Sequence, residues 1–327
     1  MILVTGGAGF IGSNIVAALA DAGAEVAVCD WLRTDERWRN LAKHLIADLV
    51  APERLFDWLT DHGRTLDTVV HMGAISSTTE TDGDLFAENN IRLTLRLWDW
   101  CARHDVRLIY ASSAATYGDG SAGFDDDASA AGLARLQPLN AYGWSKHAVD
   151  RRIGQLVERG AKAPPQWAGL KFFNVYGPNE YHKGTMKSVV AQNHATVAAG
   201  QPIRLFRSYR QDYGDGGQVR DFVYVRDCVD VIVWLLANPG VNGLFNLGTG
   251  QARSWLDLAR ALFAATGQAE RVEFIDMPET LRAKYQYFTE ARMAKLRAAG
   301  YDRPFTTLED GIADYVARFL ARGDSYR

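Results

Sequence analysis

Cysteine is scarce in this sequence, with only Cys29, Cys101 and Cys228 among 327 residues. An odd, widely spaced set offers neither a disulfide framework nor metal-ligand spacing. Each is expected to be a small buried residue of a protein working in the reducing cytoplasm, with no metal. Charge of one sign is lacking too: 36 Lys and Arg against 39 Asp and Glu leave a formal net charge of -3. The two signs are interspersed, so there is no basic field for nucleic acid or an anionic membrane. Long apolar runs are missing, since the longest, DVIVWLLA, is too short to span a bilayer. Nor does MILVTGG read as a charged segment followed by an apolar one, because it runs straight into a short strand and a glycine turn. Secretion and membrane insertion are therefore not expected. Repeats, linkers and low-complexity segments are absent as well. What is left is a chain with 47% hydrophobic and 23% charged residues, long enough to bury a full core in one large domain or two.

The first half alternates short β-branched runs with longer helical patterns. Residues 2–5 (ILVT), 25–30 (EVAVCD), 68–72 (TVVHM), 107–113 (RLIYASS) and 170–175 (LKFFNV) read as buried parallel strands. Between the first two, Ile11, Ile15 and Leu19 recur at spacings of four and the pattern stops at Gly23, suited to the left-handed residue past a helix end. A second helical pattern turns Leu93, Leu97 and Trp100 inward. Strand, helix, strand in this order predicts right-handed crossovers and a doubly wound, Rossmann-like parallel α/β sheet. After Pro178 the pattern loosens into a helical stretch, KGTMKSVVAQNHATVAAG, and a Tyr- and Arg-rich glycine loop before the strand in RDFVYV. Asp227 reads as an N-cap for CVDVIVWLLA, and Ser254 with Asp257 as a capping box after NLGTG. The expected arrangement is a nucleotide-binding domain of residues 1–176 and 221–262, with a smaller substrate lobe of 177–220 and 263–327.

TGGAGFIG follows the first strand at once and satisfies Gly-x-Gly-x-x-Gly at Gly7, Gly9 and Gly12, and Gly-x-x-Gly-x-x-Gly from Gly6. Glycines there allow a tight turn and close backbone approach to a pyrophosphate, which the following helix N-terminus attracts. Asp30, ending the second strand, is placed to hold an adenosine ribose. Asp30 would repel a 2′-phosphate, yet Arg33 or Arg37 could pair with one, which leaves NADP and NAD both open. Asp48 is assigned either to the adenine side or to a plain helix cap.

In LNAYGWSKHAVD, Tyr142 and Lys146 stand four apart and share one helix face. A phenol with a pKa of about 10 is a poor base at neutral pH, and a neighbouring ammonium favours the phenolate. Ser112 and Ser113, at the carboxyl end of a central strand, can hydrogen-bond a reacting hydroxyl. A further lysine, Lys183, lies in NVYGPNEYHKGTMKSV among glycines and small polar residues. Inverting a carbinol carbon by oxidation and reduction requires hydride to return to the opposite carbonyl face, where a second acid can serve the turned oxygen. Lys183 is either that acid or a lysine facing substrate phosphate or solvent.

TGGAGFIG, VVHMGA, YASSAATYG, YGWSK, FNVYGP and RDFVYVRD occur in an order that resembles the extended, nucleotide-sugar-modifying branch of the short-chain dehydrogenase/reductases, over nearly the whole chain. MGAISSTTETDG, NVYGPNEYHKGTMKSV and KYQYFTEA narrow the resemblance to the ADP-L-glycero-D-manno-heptose 6-epimerase family. That resemblance implies an isomerase that inverts C6 of ADP-heptose for the lipopolysaccharide inner core, with tightly held NADP and no net redox change. It implies Tyr142 and Lys183 as the two acid/bases, Lys146 as holder of the nicotinamide ribose and tuner of the tyrosine, and Ser113 as a positioner of the substrate hydroxyl. Around the dinucleotide it implies Gly6, Gly9, Phe10, Ile11, Gly12, Asp30, Trp31, Arg37, Asp48, Met72, Gly73, Ala74, Ser76, Asn89, Val175 and both lysines.

Around the sugar nucleotide the resemblance implies Ser77, Thr78, Asn174, Thr185, Gln192, Phe206, Ser208, Arg220 and Tyr285. It also implies a homo-oligomer, often a pentamer. A 4-epimerase of the same superfamily would make Lys183 dispensable. A 4,6-dehydratase would want an Asp-Glu pair beside the central strand that YASSAATYG does not offer. A catalytically silent NADP sensor would have no use for the Tyr142–Lys146 pair.

Overall fold

The computed structural model describes residues 1–282 and 285–327. Twelve strands are described: β1 (Ile2–Thr5), β2 (Val26–Cys29), β3 (Asp48–Val50), β4 (Thr68–His71), β5 (Arg107–Ser113), β6 (Trp167–Phe172), β7 (Asn174–Tyr176), β8 (Ile203–Phe206), β9 (Val219–Tyr224), β10 (Gly243–Leu247), β11 (Ala252–Ser254) and β12 (Val272–Ile275). Seven of them form one parallel sheet in the order β10-β6-β5-β4-β1-β2-β3. The chain winds outward in one direction from β1 and in the other from β4, as a doubly wound sheet does. The crevice where the direction reverses, at the carboxyl ends of β1 and β4, is where such sheets bind ligands.

Both faces of the sheet are covered, which is why its strands read as continuous apolar runs rather than alternations. On one face, Ile15, Val16 and Leu19 of the helix Phe10–Asp21 pack with Val231, Ile232 and Leu235 of the helix Val225–Ala237. On the other, Leu97, Trp98 and Trp100 of Leu93–His104 meet Val149 and Ile153 of Ala141–Glu158. Each fully buried Leu, Ile or Val contributes about 1.5–3 kcal/mol. Cys29, Cys101 and Cys228 are free thiols inside these cores. Gly23 takes φ +75° just past the first helix, as its position predicts. The Ser254–Asp257 capping box forms with both reciprocal hydrogen bonds.

Three elements differ from the sequence expectation. The run 170–175 is two strands: β6 begins at Trp167, and Phe173 turns its N–H to Leu247 O, after which β7 joins β9 and β11 in a separate three-stranded sheet. The helix assigned an N-cap at Asp227 begins at Val225. The Asp227 carboxylate lies in its first turn and instead accepts from the N–H and hydroxyl of Thr306. KGTMKSVV is not helical throughout, since a 3-10 turn, Tyr181–Met186, precedes the helix Val189–Ala198, which Ser188 caps. β8 pairs with β12, and β9 with β7 and β11, and these strands pack into a second core around Phe222, Leu258 and Leu262, which Phe10 and Tyr176 join from before Pro178. No described helix is long and apolar enough to cross a membrane.

Candidate active site

At the crevice lies a cavity of about 790 Å³. Its floor is the glycine turn after β1. A Cβ on Gly6 would lie 2.6 Å from Gly73 N, and one on Gly12 would lie 2.1 Å from Gly6 O, so only glycine lets the β1 and β4 ends and the helix start close together. Gly6, Gly9, Phe10, Ile11 and Gly12 line this floor, with Met72, Gly73, Ala74 and Ser76 beyond β4. The Asp30 carboxylate accepts from Ala8 N (3.0 Å) and Trp31 N (2.8 Å), and burial raises its pKa against the pull of those bonds. Trp31, Arg33 and Arg37 line the same end. Arg37 is already engaged by Asp35 in a two-point pair (2.9 and 2.7 Å).

Tyr142, Lys146, Ser112 and Ser113 line the cavity from its other side. The helix that carries the pair starts at Ala141 because Asn140 Oδ1 accepts Gly143 N at 2.8 Å, so Tyr142 stands in its first turn. Burial raises the Tyr142 phenol pKa, and the Ser113 hydroxyl opposes the rise. Lys146 Nζ donates to Ala111 O at 2.8 Å, and burial pushes its pKa down to about 8 despite the charge of Asp150. Under it, Asp150 Oδ2 accepts from Ser112 Oγ (2.6 Å) and Lys171 Nζ (2.8 Å), in a pair closed to solvent.

Lys183 lines the cavity as well, from the turn that follows β7. Its ammonium lies 5.0 Å from the Phe10 ring centroid, a cation–π contact with the helix start. Burial lowers its pKa, and the nearby Glu180 charge opposes that. Asn89, Asn174, Val175, Ser77, Thr185 and Gln192 complete the set of expected residues that reach the cavity.

Six expected residues do not line it. Asp48 sits on β3 with its carboxylate taken by Trp58 Nε1 at 2.7 Å. Thr78 is exposed on the turn after β4. Ser208 is turned into its own loop, donating to Arg210 O at 2.9 Å. Phe206, Arg220 and Tyr285 form a cluster of their own: the two rings meet edge to face at 6.2 Å, and the Arg220 guanidinium lies 5.2 Å from the Tyr285 ring and 5.8 Å from Trp255. Trp255 does line the cavity, so the cluster adjoins it through that indole. Arg220 is buried and makes no ion pair among the described residues. Sequence reasoning missed Trp255 and His182, both of which face the cavity; an aromatic behind a capping serine carries no signal of its own.

A family model described as the NAD dependent epimerase/dehydratase family matches residues 2–248. An ADP-L-glycero-D-manno-heptose-6-epimerase from Nitratidesulfovibrio vulgaris is 52% identical over 100% of both chains. The chain belongs to this epimerase family. Among solved structures, the Helicobacter pylori ADP-L-glycero-D-manno-heptose-6-epimerase is 28% identical, with a TM-score of 0.79 over 97% of this chain and 95% of that one. The Thermus thermophilus UDP-glucose 4-epimerase, solved with NAD, is also 28% identical, with a TM-score of 0.74 over 96% and 97%. The protein is thus an isomerase of the epimerase family with a nicotinamide cofactor. The cradle fits such a dinucleotide: glycines where a Cβ would collide, a carboxylate at the end of β2, and a helix start facing the crevice.

Proposed function

We propose that the protein inverts C6 of the heptose in ADP-D-glycero-D-manno-heptose to give the L-glycero epimer for the lipopolysaccharide inner core. The observation that carries this reading is that a phenol and an amine from unrelated elements, Tyr142 and Lys183, line the same cavity as the dinucleotide cradle. Tyr142 takes the proton of the C6 hydroxyl. The Lys146 ammonium, one turn along the same helix, favours the phenolate that burial alone would disfavour. Ser113 orients the hydroxyl. A dinucleotide held by the Gly6–Gly12 turn and Asp30 would supply the acceptor for the C6 hydrogen and its return, with no net oxidation. The ketone turns before the hydrogen returns to its other face, and Lys183 donates the proton that quenches the new alkoxide. Burial makes that proton easier to give up.

Arg220, a buried guanidinium with no carboxylate partner among the described residues, suits the diphosphate, with Phe206 and Tyr285 beside it at the nucleotide. Ser77, Thr78, Asn174, Thr185 and Gln192 are assigned to the sugar side. Arg37 and Arg33 support NADP over NAD through a 2′-phosphate. Residues 1–176 and 221–262 serve the dinucleotide, and 177–220 and 263–327 the substrate. A cytoplasmic homo-oligomer is part of this reading, and sedimentation measures its size.

The test is to incubate the purified protein with each C6 epimer of ADP-heptose separately, without added cofactor. Both should reach one equilibrium mixture. Absence of interconversion, beside turnover of a UDP-hexose at C4, would give the cavity to a 4-epimerase instead.

A further inference from the structure

The turn that carries Lys183 has little regular structure to hold it. It is broken at Gly184, whose φ of 55° and ψ of -125° are not helical. Buried asparagines that the reaction does not use hold it instead. Asn40, 1% exposed, ends the 3-10 turn Glu36–Asn40. Its Nδ2 donates to Ala8 O at 2.8 Å, inside the glycine turn, and to Asn179 O at 3.3 Å, and it lies 3.4 Å from His182 Nδ1. Asn14 Nδ2 donates to Phe10 O and to Pro178 O, and Asn179 Nδ2 donates to Ser13 Oγ. The two Nδ2 hydrogens point at these carbonyls, so His182 Nδ1 at 3.4 Å meets the amide as the weaker, shared acceptor of one of them. Burial drives the His182 pKa down to about 4, which keeps the ring uncharged at neutral pH. One amide group therefore ties the turn that approaches the pyrophosphate to the residue next to Lys183.

We propose that Asn40 and His182 are positioning residues for Lys183, holding the second lysine at the cavity and tying its place to the dinucleotide cradle at Ala8. The inference rests on Lys183 acting as the second acid/base. If phenol and amine serve opposite faces of one carbon, each C6 epimer offers its hydroxyl to one of them when it is oxidised. Loosening the Lys183 turn therefore slows oxidation of one epimer and spares the other. A general loss of folding or of dinucleotide would slow both.

The experiment uses the dinucleotide-loaded protein with Asn40→Ala, His182→Leu, His182→Asn and Lys183→Met. The rate at which each C6 epimer reduces the bound nicotinamide in a single turnover is one readout. Backbone hydrogen exchange over residues 179–187 is the other. Asn40→Ala and His182→Leu should slow oxidation of one epimer by about tenfold or more, and of the other by no more than about twofold. Exchange should rise in 179–187 and stay unchanged in β1. His182→Asn, whose side-chain carbonyl still accepts, should recover most of the loss. Should Asn40→Ala lose its dinucleotide, His182→Leu, which leaves the Asn40–Ala8 bond in place, decides alone.

Lys183→Met separates the two levels of the argument. If it shows the one-sided loss while the Asn40 and His182 variants slow both epimers equally, slow neither, or leave exchange unchanged, the positioning role falls and the second base stands. If Lys183→Met is itself even-handed, the second base falls and this inference with it.

Discussion

Lys146 and Lys183 bring the same chemical group to one cavity from opposite kinds of structure. Lys146 stands on an eighteen-residue helix, with Nζ bonded to Ala111 O and an aspartate–lysine pair closed to solvent behind it. Lys183 stands on a broken 3-10 turn over the face of Phe10, and its neighbour Glu180 spends its carboxylate on the N–H and hydroxyl of Ser188. One wall of the site is set by a helix and the carboxyl end of the central strand β5. The other is set by side chains that reach across long stretches of sequence. Under the proposed two-base mechanism, a rigid wall would keep the first proton transfer in register, while the less regular wall would meet an oxygen that arrives from elsewhere.

The strongest blow to this contrast falls on the rigid wall's own chemistry. Tyr142→Phe should cut interconversion of the two epimers by about 10³-fold, with the bound dinucleotide retained. A variant that keeps a tenth of the rate would remove the phenol as acid/base. Next comes Asp150→Asn, which leaves the Lys171 ammonium buried without its partner and should cost about 3–5 kcal/mol in urea unfolding. On the looser wall, Glu180→Gln keeps an acceptor for Ser188 and should cost only about 1–3 kcal/mol. Equal losses would mean that the two walls are equally built.

The rigid wall was also the legible one. The Gly7, Gly9 and Gly12 spacing, the four-residue step from Tyr142 to Lys146, and the bounds of β1 and β5 follow from local periods that the fold obeys. β3, three residues long, and β10, which runs into NLGTG, went unread because short runs beside turn residues carry too little pattern. Asp227 had the look of a cap, but Thr306, 79 residues away, takes its carboxylate. The tie from Asn40 to His182 spans 142 residues and obeys no period, so nothing local announces it. Phe206, Arg220 and Tyr285 came from family likeness, which assigns a role but cannot say that Arg220 adjoins the cavity through Trp255.

A pH profile sharpens the comparison further. Burial holds the Lys146 ammonium at a pKa of about 8, so its charged fraction declines as pH rises through that value. The groups facing it are Asp150, which opposes the shift, Tyr142 one turn back, and His71, whose own pKa burial lowers to about 3, leaving it uncharged. Support for the phenolate is lost on the alkaline side, and the rate should fall by about tenfold per pH unit there. Lys146→Arg keeps its charge and should move this limb upward in whatever activity remains. A limb that does not move belongs to Lys183, whose pKa burial also lowers.

The smallest effect is expected at the adenosine end. Arg37 can hold a 2′-phosphate only by sharing its guanidinium with Asp35, whose carboxyl that pair already holds below its usual range. Arg37→Ala should therefore weaken NADP by only about tenfold, or about 1.4 kcal/mol, and NAD by no more than about twofold, measured by titration of the apoprotein. Asp35→Ala should strengthen NADP by freeing the arginine. If Arg37→Ala weakens both dinucleotides alike, the arginine serves the turn Glu36–Asn40 rather than a phosphate. It would then act on the Lys183 wall through Asn40, three residues on, and the one-sided slowing of a single C6 epimer should appear in Arg37→Ala as well.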